Sequence, residues 1–243
     1  MQGNKMGKLF IVTSGKGGTG KTMFAVNMAA VLAEKGTKVL LLDMNIGLRN
    51  ADLYLGKEND IIYDSSDIIR GVCDIEQAIV KDDRIAGLHM LAAAPEHEDG
   101  VNIKKMRALI GALRMIFDYI IVDMPTGVSR ITSEIAEDAD RVILLSTPDY
   151  ASIRNTDAMD RRLEELGCSK QKVVINRLVP EFMNAGVIPK LREMSRMMKS
   201  EIVGVIQEDK VISVSTNLGI PVILKDATYI RKNFETITSK LTY

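Results

Sequence analysis

The sequence predicts an α/β fold: a three-layer, doubly wound and mostly parallel sheet of about 7–8 strands with helices on both faces. Three observations predict it. Short apolar runs of β type alternate with segments of helical period along the chain. One such run, Leu9-Phe10-Ile11-Val12, leads through Ser14-Gly15-Lys16-Gly17-Gly18-Thr19-Gly20-Lys21-Thr22 into an apolar-periodic segment from Met23 to Leu32, giving a strand, a glycine-rich loop and a helix. The 243 residues, 46% hydrophobic and 26% charged, suit one domain with a large buried core. No linker-like composition, repeat or low-complexity tract divides the chain. Residues 8–243 therefore read as a single domain behind a flexible N-terminal segment, residues 1–7.

The glycine-rich stretch is a phosphate-binding loop in the context that motif requires. Gly15, Gly17, Gly18 and Gly20 permit turn conformations closed to other residues, so that successive N–H groups, those of Thr19 and its neighbours among them, ring an anion at a helix N-terminus. Lys21 then meets the β- and γ-phosphates of a nucleotide, and the Thr22 hydroxyl ligates Mg²⁺.

Charge and cysteine usage exclude other classes. Thirty-two basic residues balance 32 acidic ones, so no global field holds the chain on nucleic acid or an anionic membrane, and nucleic-acid binding is not expected. Cys73 and Cys168 lie far apart without metal-ligand spacing, as reduced thiols of a cytoplasmic protein would. No signal-like or membrane-spanning apolar run is present.

After the loop, the first helix ends at Lys35-Gly36, where glycine can take the left-handed position, and Lys38 to Leu42 follows as a buried strand ending in Asp43. Residues 43–53 show no clean period and read as loop at the C-terminal edge of a strand, where open α/β sheets bind ligands. Asp43 is placed there to hold a Mg²⁺ shell through water, with Asn45 on the same side if the backbone is extended; a helix or turn cap is the other role open to it. Short helical patterns between Asp64 and Val80 lead to a strand, Gly87 to Leu91. His89 reads as a strand residue rather than a ligand, and His97, between Glu96 and Glu98, as surface. Ile103, Met106, Ile110 and Leu113 recur at helical spacing, as in a helix packed on a sheet. Asp118 to Asp123 is the next buried strand, ending in a Walker B type aspartate, and Met124-Pro125-Thr126-Gly127 a turn. Val142–Leu145 and Lys172–Ile175 are strands, separated by a helix from about Ala151 to Leu166 that Gly167 ends. Leu191, Met194, Met197 and Met198 form a stripe read as core, or else as an adaptable partner surface. The last helix, from about Ala227 to Leu241, puts Ile230, Phe234, Ile237 and Leu241 on one buried face.

Lys16 is not needed by an ordinary loop of this kind. With it the motif becomes KGGxGK[ST], and the chain resembles the deviant Walker A ATPases, the P-loop NTPase group of ParA, MinD and the nitrogenase iron protein. The stretch Asp43 to Leu53, with its Gly47-Leu48-Arg49-Asn50, is similar to switch I of the MinD family. The likeness continues through Ile62-Tyr63-Asp64, Gln77 to Asp82, Gly204-Val205-Ile206 and Pro221 to Leu224. It implies an ATPase that converts ATP to ADP and phosphate with Mg²⁺, forms a homodimer when ATP is bound, and acts in placing the bacterial division site with MinC- or MinE-like regulators. Lys16 would cross the dimer interface to the partner's phosphates, in the manner of an arginine finger, although a merely solvated Lys16 stays open. Asp123 and Gly127, in a DxPxG switch II, would bind the Mg²⁺ shell and approach the γ-phosphate. Asp149 would meet the partner's ribose. Asn176 and Arg177 would recognise adenine, with Gln207 and Asp209 beside that pocket; Asn176 as a turn residue stays open.

The chain departs from the family at functional positions. The usual aspartate at position 45, which orients the attacking water, is Asn45, a very poor base. Hydrolysis is expected to be slowed by ~10- to 1,000-fold and the ATP-bound dimer to live longer. Met23 replaces a hydroxyl residue for the α-phosphate, at a cost of about 0.5–1.5 kcal/mol. Gln207 replaces a proline, and Ser129 a common glutamate. No basic amphipathic segment follows Leu241, so direct membrane anchoring has no visible source. The expected location is cytoplasmic, peripheral to the membrane only if a tail has been removed. Two other functions remain: a nucleotide-gated binding protein with little turnover, and a ParA- or FlhG-like positioning ATPase.

Overall fold

The computed structural model describes residues 6–94, 102–225 and 229–243. His97 and Ala227 lie outside them. The strands are β1 (Lys8–Ser14), β2 (Val39–Asp43), β3 (Val80–Lys81), β4 (Leu88–Leu91), β5 (Tyr119–Thr126), β6 (Arg141–Ser146), β7 (Gln171–Leu178) and β8 (Ile202–Gln207). They form one eight-stranded sheet in the order β3-β4-β2-β5-β1-β6-β7-β8. Every pairing is parallel except that of the two-residue edge strand β3 with β4.

Around the sheet run α1 (Lys21–Glu34), α2 (Ala51–Leu55), α3 (Ser65–Arg70), α4 (Ile75–Ala78), α5 (Ile103–Leu113), α6 (Arg130–Asp138), α7 (Tyr150–Glu165), α8 (Pro180–Asn184), α9 (Leu191–Met197), α10 (Lys210–Asn217) and α11 (Tyr229–Thr242). A parallel sheet is covered on both faces, which is why its strands are continuous apolar runs. Period-two alternation still sorts their side chains. Leu9, Ile11, Leu40, Leu42, Ile120 and Val122 share a core with α5, α6 and α7. Phe10, Val12, Leu41 and Ile121 share the other with α1 and α11. The expected three layers follow. Helix α1 is buried nearly all round, because the sheet, α2 and α11 all pack on it.

Four local expectations need correction. Residues 43–53 are not loop throughout: Asp43 accepts the N–H groups of Asn50 (3.1 Å) and Ala51 (3.0 Å) and so caps α2, a helix too short to show a period. The expected turn at Met124-Pro125-Thr126 is strand. β5 continues to Thr126, and a register shift between Val12 and Ser14 of β1 accommodates Pro125, which has no N–H for the ladder. Of the methionine stripe, Met194 and Met198 are core, but Met197 and Leu191 are exposed. The tie to the domain begins before Lys8, since the Gly7 N–H donates to the Arg114 carbonyl (2.8 Å). The face of the last helix matches: Ile230, Phe234, Ile237 and Leu241 are all buried.

Candidate functional site

β1 lies mid-sheet between β5 and β6, so the loop after it meets the C-terminal ends of β2, β5, β6 and β7. The loop is clamped from two sides. A Cβ at Gly15 would lie 2.4 Å from the Asn155 carbonyl oxygen of α7. Gly20, the N-cap of α1, holds φ +93, and a Cβ there would lie 2.3 Å from Asn176 Nδ2. That amide, at the end of β7, donates to the Thr19 carbonyl (2.7 Å). That bond uses one of the two amide hydrogens and leaves the other, with Oδ1, to the cleft side.

Lys21 is buried and donates to Thr126 Oγ1 (2.7 Å). Burial lowers its pKa, and the Asp123 charge partly offsets that. Thr22 Oγ1 (2.5 Å) and Asn45 Nδ2 (2.7 Å) both donate to Asp123 Oδ2. Asp123, three residues before the end of β5, and Asp43, the last residue of β2, are register partners, both fully buried. Burial first, then the charge of Asp43, push Asp123 up to about 8 against the Thr22 and Asn45 hydrogen bonds and the Lys21 charge. Burial also raises Asp43, against the N–H groups of Ala51, Asn45 and Asn50.

The second oxygen of Asp123, Oδ1, is buried without a hydrogen-bond partner. An orphaned carboxylate oxygen beside a second carboxylate and the Thr22 hydroxyl is a donor set for a hard cation. Among the described residues no cluster of three or more His, Cys, Asp or Glu side chains could hold a metal. Two carboxylates and one hydroxyl suit Mg²⁺, which keeps waters and takes phosphate oxygens alongside one or two carboxylates.

Lys16 lies 3.2 Å from Asp149 Oδ1 of its own chain, both side chains 43% exposed. Asp149 also caps α7 through Ser152 N (2.9 Å) and accepts from Thr147 Oγ1 (2.6 Å). Burial acts to raise its carboxyl, but these bonds and Lys16 hold it below the usual range. The Gly127 N–H, expected to approach a terminal phosphate, donates to the Ser14 carbonyl (2.9 Å). Ser129 caps α6 through Thr132 N.

Beside Gly20 and Met23 opens a cleft of about 300 Å³, walled by Tyr54 of α2, by Asn176 and Arg177, and by Glu208, Asp209 and residues 212, 213, 216 and 217 of α10. Arg177 holds φ +60 and faces Glu208 at 3.8 Å. Gln207 does not line the cleft as expected, because β8 ends there and Glu208 and Asp209 form the wall. Sequence reasoning missed Thr126, Tyr54 and α10. Only α10 left a signal, the spacing of Ile212, Ser213 and Thr216 on a short helical turn.

A family model described as the CobQ/CobB/MinD/ParA nucleotide binding domain matches residues 10–222. The septum site-determining protein MinD of Thermotoga maritima is 36% identical over 239 residues, covering 97% of this chain and 88% of that protein. That of Synechocystis sp. is 35% identical over 222 residues, covering 91% of this chain and 84% of the relative. Among solved structures, the MinC:MinD cell division protein complex of Aquifex aeolicus matches with TM-score 0.89 and 33% identity, over 97% of this chain and 96% of that one.

Proposed function

Because the chain belongs to the CobQ/CobB/MinD/ParA nucleotide-binding family, we propose that it is a MinD-like ATPase that dimerises on ATP and acts in placing the bacterial division site. The observation that carries this reading is the group around Asp123, whose Oδ1 has no partner: buried Lys21 and Asp43, with the half-buried Thr22. The loop N–H groups and Lys21 bind the phosphates, and the cleft beside Gly20 takes the nucleoside end. Thr22, Asp43 and Asp123 hold Mg²⁺, which neutralises charge on the β- and γ-phosphates. Lys16 is the residue that reaches the partner subunit. Its exposed pair with Asp149 is worth about 0–1 kcal/mol, so exchanging it for a phosphate costs little. By likeness to the Aquifex aeolicus complex, a MinC-type regulator is the expected partner, with a MinE-type regulator as its counterpart.

Calorimetry and sizing with ATP and Mg²⁺ test the two lysines. Lys21→Ala is expected to lose nucleotide affinity, whereas Lys16→Ala binds ATP and stays monomeric; a normal ATP-loaded Lys16→Ala dimer refutes the role in trans.

One observation favours slow turnover. The Asn45 amide nitrogen is held by Asp123, and its neutral amide oxygen can accept a hydrogen bond from water but is a very poor base. Asn45→Asp is expected to raise the ATPase rate ~10- to 1,000-fold. An unchanged steady-state rate means that position 45 does not orient the attacking water.

A further inference from the structure

Between β3 and β4, away from the phosphate loop, one arginine holds the backbone just beyond two walls of the cleft. Arg84 is anchored on Asp82: its Nε and NH2 donate to the two carboxylate oxygens, and the Arg84 and Ile85 backbone N–H groups donate to Oδ1. Asp82 is nearly inaccessible, and its own N–H is tied to the Leu88 carbonyl (3.0 Å) of β4. The anchor is therefore fixed to the sheet. Burial acts to raise the Asp82 carboxyl, but the hydrogen bonds and charge of Arg84 and the Ile85 N–H hold it low, so Asp82 stays a carboxylate.

The rest of the guanidinium reaches outward. NH2 donates to the Leu55 carbonyl (2.6 Å) at the C-terminal end of α2, and NH1 to the Gly219 carbonyl (2.8 Å) just past α10. The two chain segments meet there backbone to backbone. A Cβ on Gly219 would lie 2.5 Å from Gly56 Cα, and both glycines hold positive φ, +62 and +58. One to three residues before these contacts stand Tyr54 on α2 and Thr216 and Asn217 on α10, all facing the cleft. A planar fork with five fixed donors suits this task, which an ammonium could fill only in part.

We propose that Arg84 is a positioning residue for nucleotide binding: by tying the ends of α2 and α10 to Asp82, it fixes the separation of the two walls that receive the nucleoside. This rests on the reading that the cleft takes the nucleoside end. Arg84 touches no phosphate-binding residue, so its effect falls on the nucleoside alone.

Titration calorimetry of the full chain with Mg²⁺ and either ATP or tripolyphosphate tests it, in the wild type, Arg84→Ala and Arg84→Lys, each checked for folding by thermal melt. Arg84→Ala is expected to bind ATP about ten-fold more weakly, with tripolyphosphate affinity unchanged within about two-fold and Arg84→Lys intermediate. Equal losses for both ligands, or none for ATP, overturn the proposal. If Arg84→Ala does not fold, the ATP-selective loss is read from Arg84→Lys, at about three-fold. A wild-type chain that binds tripolyphosphate no less tightly than ATP removes the reading of the cleft itself, and that failure is visible before any substitution is made.

Discussion

Asp123 links folding to ligand binding through one proton. Its carboxyl is pushed up to about 8, while an unfolded chain titrates it near ~3.9. Between those values the native state keeps a proton that the unfolded chain has lost. This residue's contribution to stability is therefore full below ~3.9 and falls as pH rises toward about 8. A cation held by the carboxylate favours the ionised form and expels the proton. Binding of Mg²⁺ with nucleotide at pH 7 is accordingly expected to release protons, seen as a heat that varies with the ionisation enthalpy of the buffer. Asp123→Asn should remove most of that variation; the same heat in every buffer for the wild type would contradict the assignment. Asn45 belongs to the same network, since its amide stabilises the Asp123 oxygen that a carboxylate at position 45 would repel.

At the scale of single elements, burial on one face decides what each helix does. Helix α11 seals the core above α1 and β8: Phe234 is fully buried, with its ring 5.8 Å from that of Phe24, and Gly204 of β8 leaves room for Ile237. Phe234→Ala is expected to cost about 3–5 kcal/mol, measured as a lower urea midpoint at unchanged slope; a loss below about 1 kcal/mol would mean that the helix does not pack as described. Helix α9 behaves differently. It is two turns long and offers the core only one edge, so Met194 is buried while Leu191 and Met197 stay exposed. Helix α2 is shorter still, and a tertiary contact, the Asp43 carboxylate, starts it.

For the whole molecule, one sheet carries both the two cores and the site, so ligand binding should stabilise the entire domain. With Mg²⁺-ADP at a hundred times its Kd, linkage adds about 2.7 kcal/mol, and a domain of this size should melt roughly 5–10 °C higher. Chelating the metal should remove most of the gain. A melting temperature indifferent to nucleotide and Mg²⁺ would remove the basis for a P-loop site here. Among the described residues no helix is long and apolar enough to cross a membrane.

What the sequence determined by itself was local or periodic. Gly15 to Thr22 announced the phosphate loop, the apolar runs announced six of the eight strands, and the spacing of Ile230, Phe234, Ile237 and Leu241 announced the buried face of α11. These features lie within a few residues of one another, so backbone geometry and side-chain period alone imply them. The tertiary structure alone decided which side chains meet across the sheet. Asn45 on Asp123, Asn176 on Thr19 and Arg84 on Leu55 and Gly219 join residues 29 to 157 positions apart. No period or propensity encodes such pairs, because strand order and register bring them together only once the chain has folded.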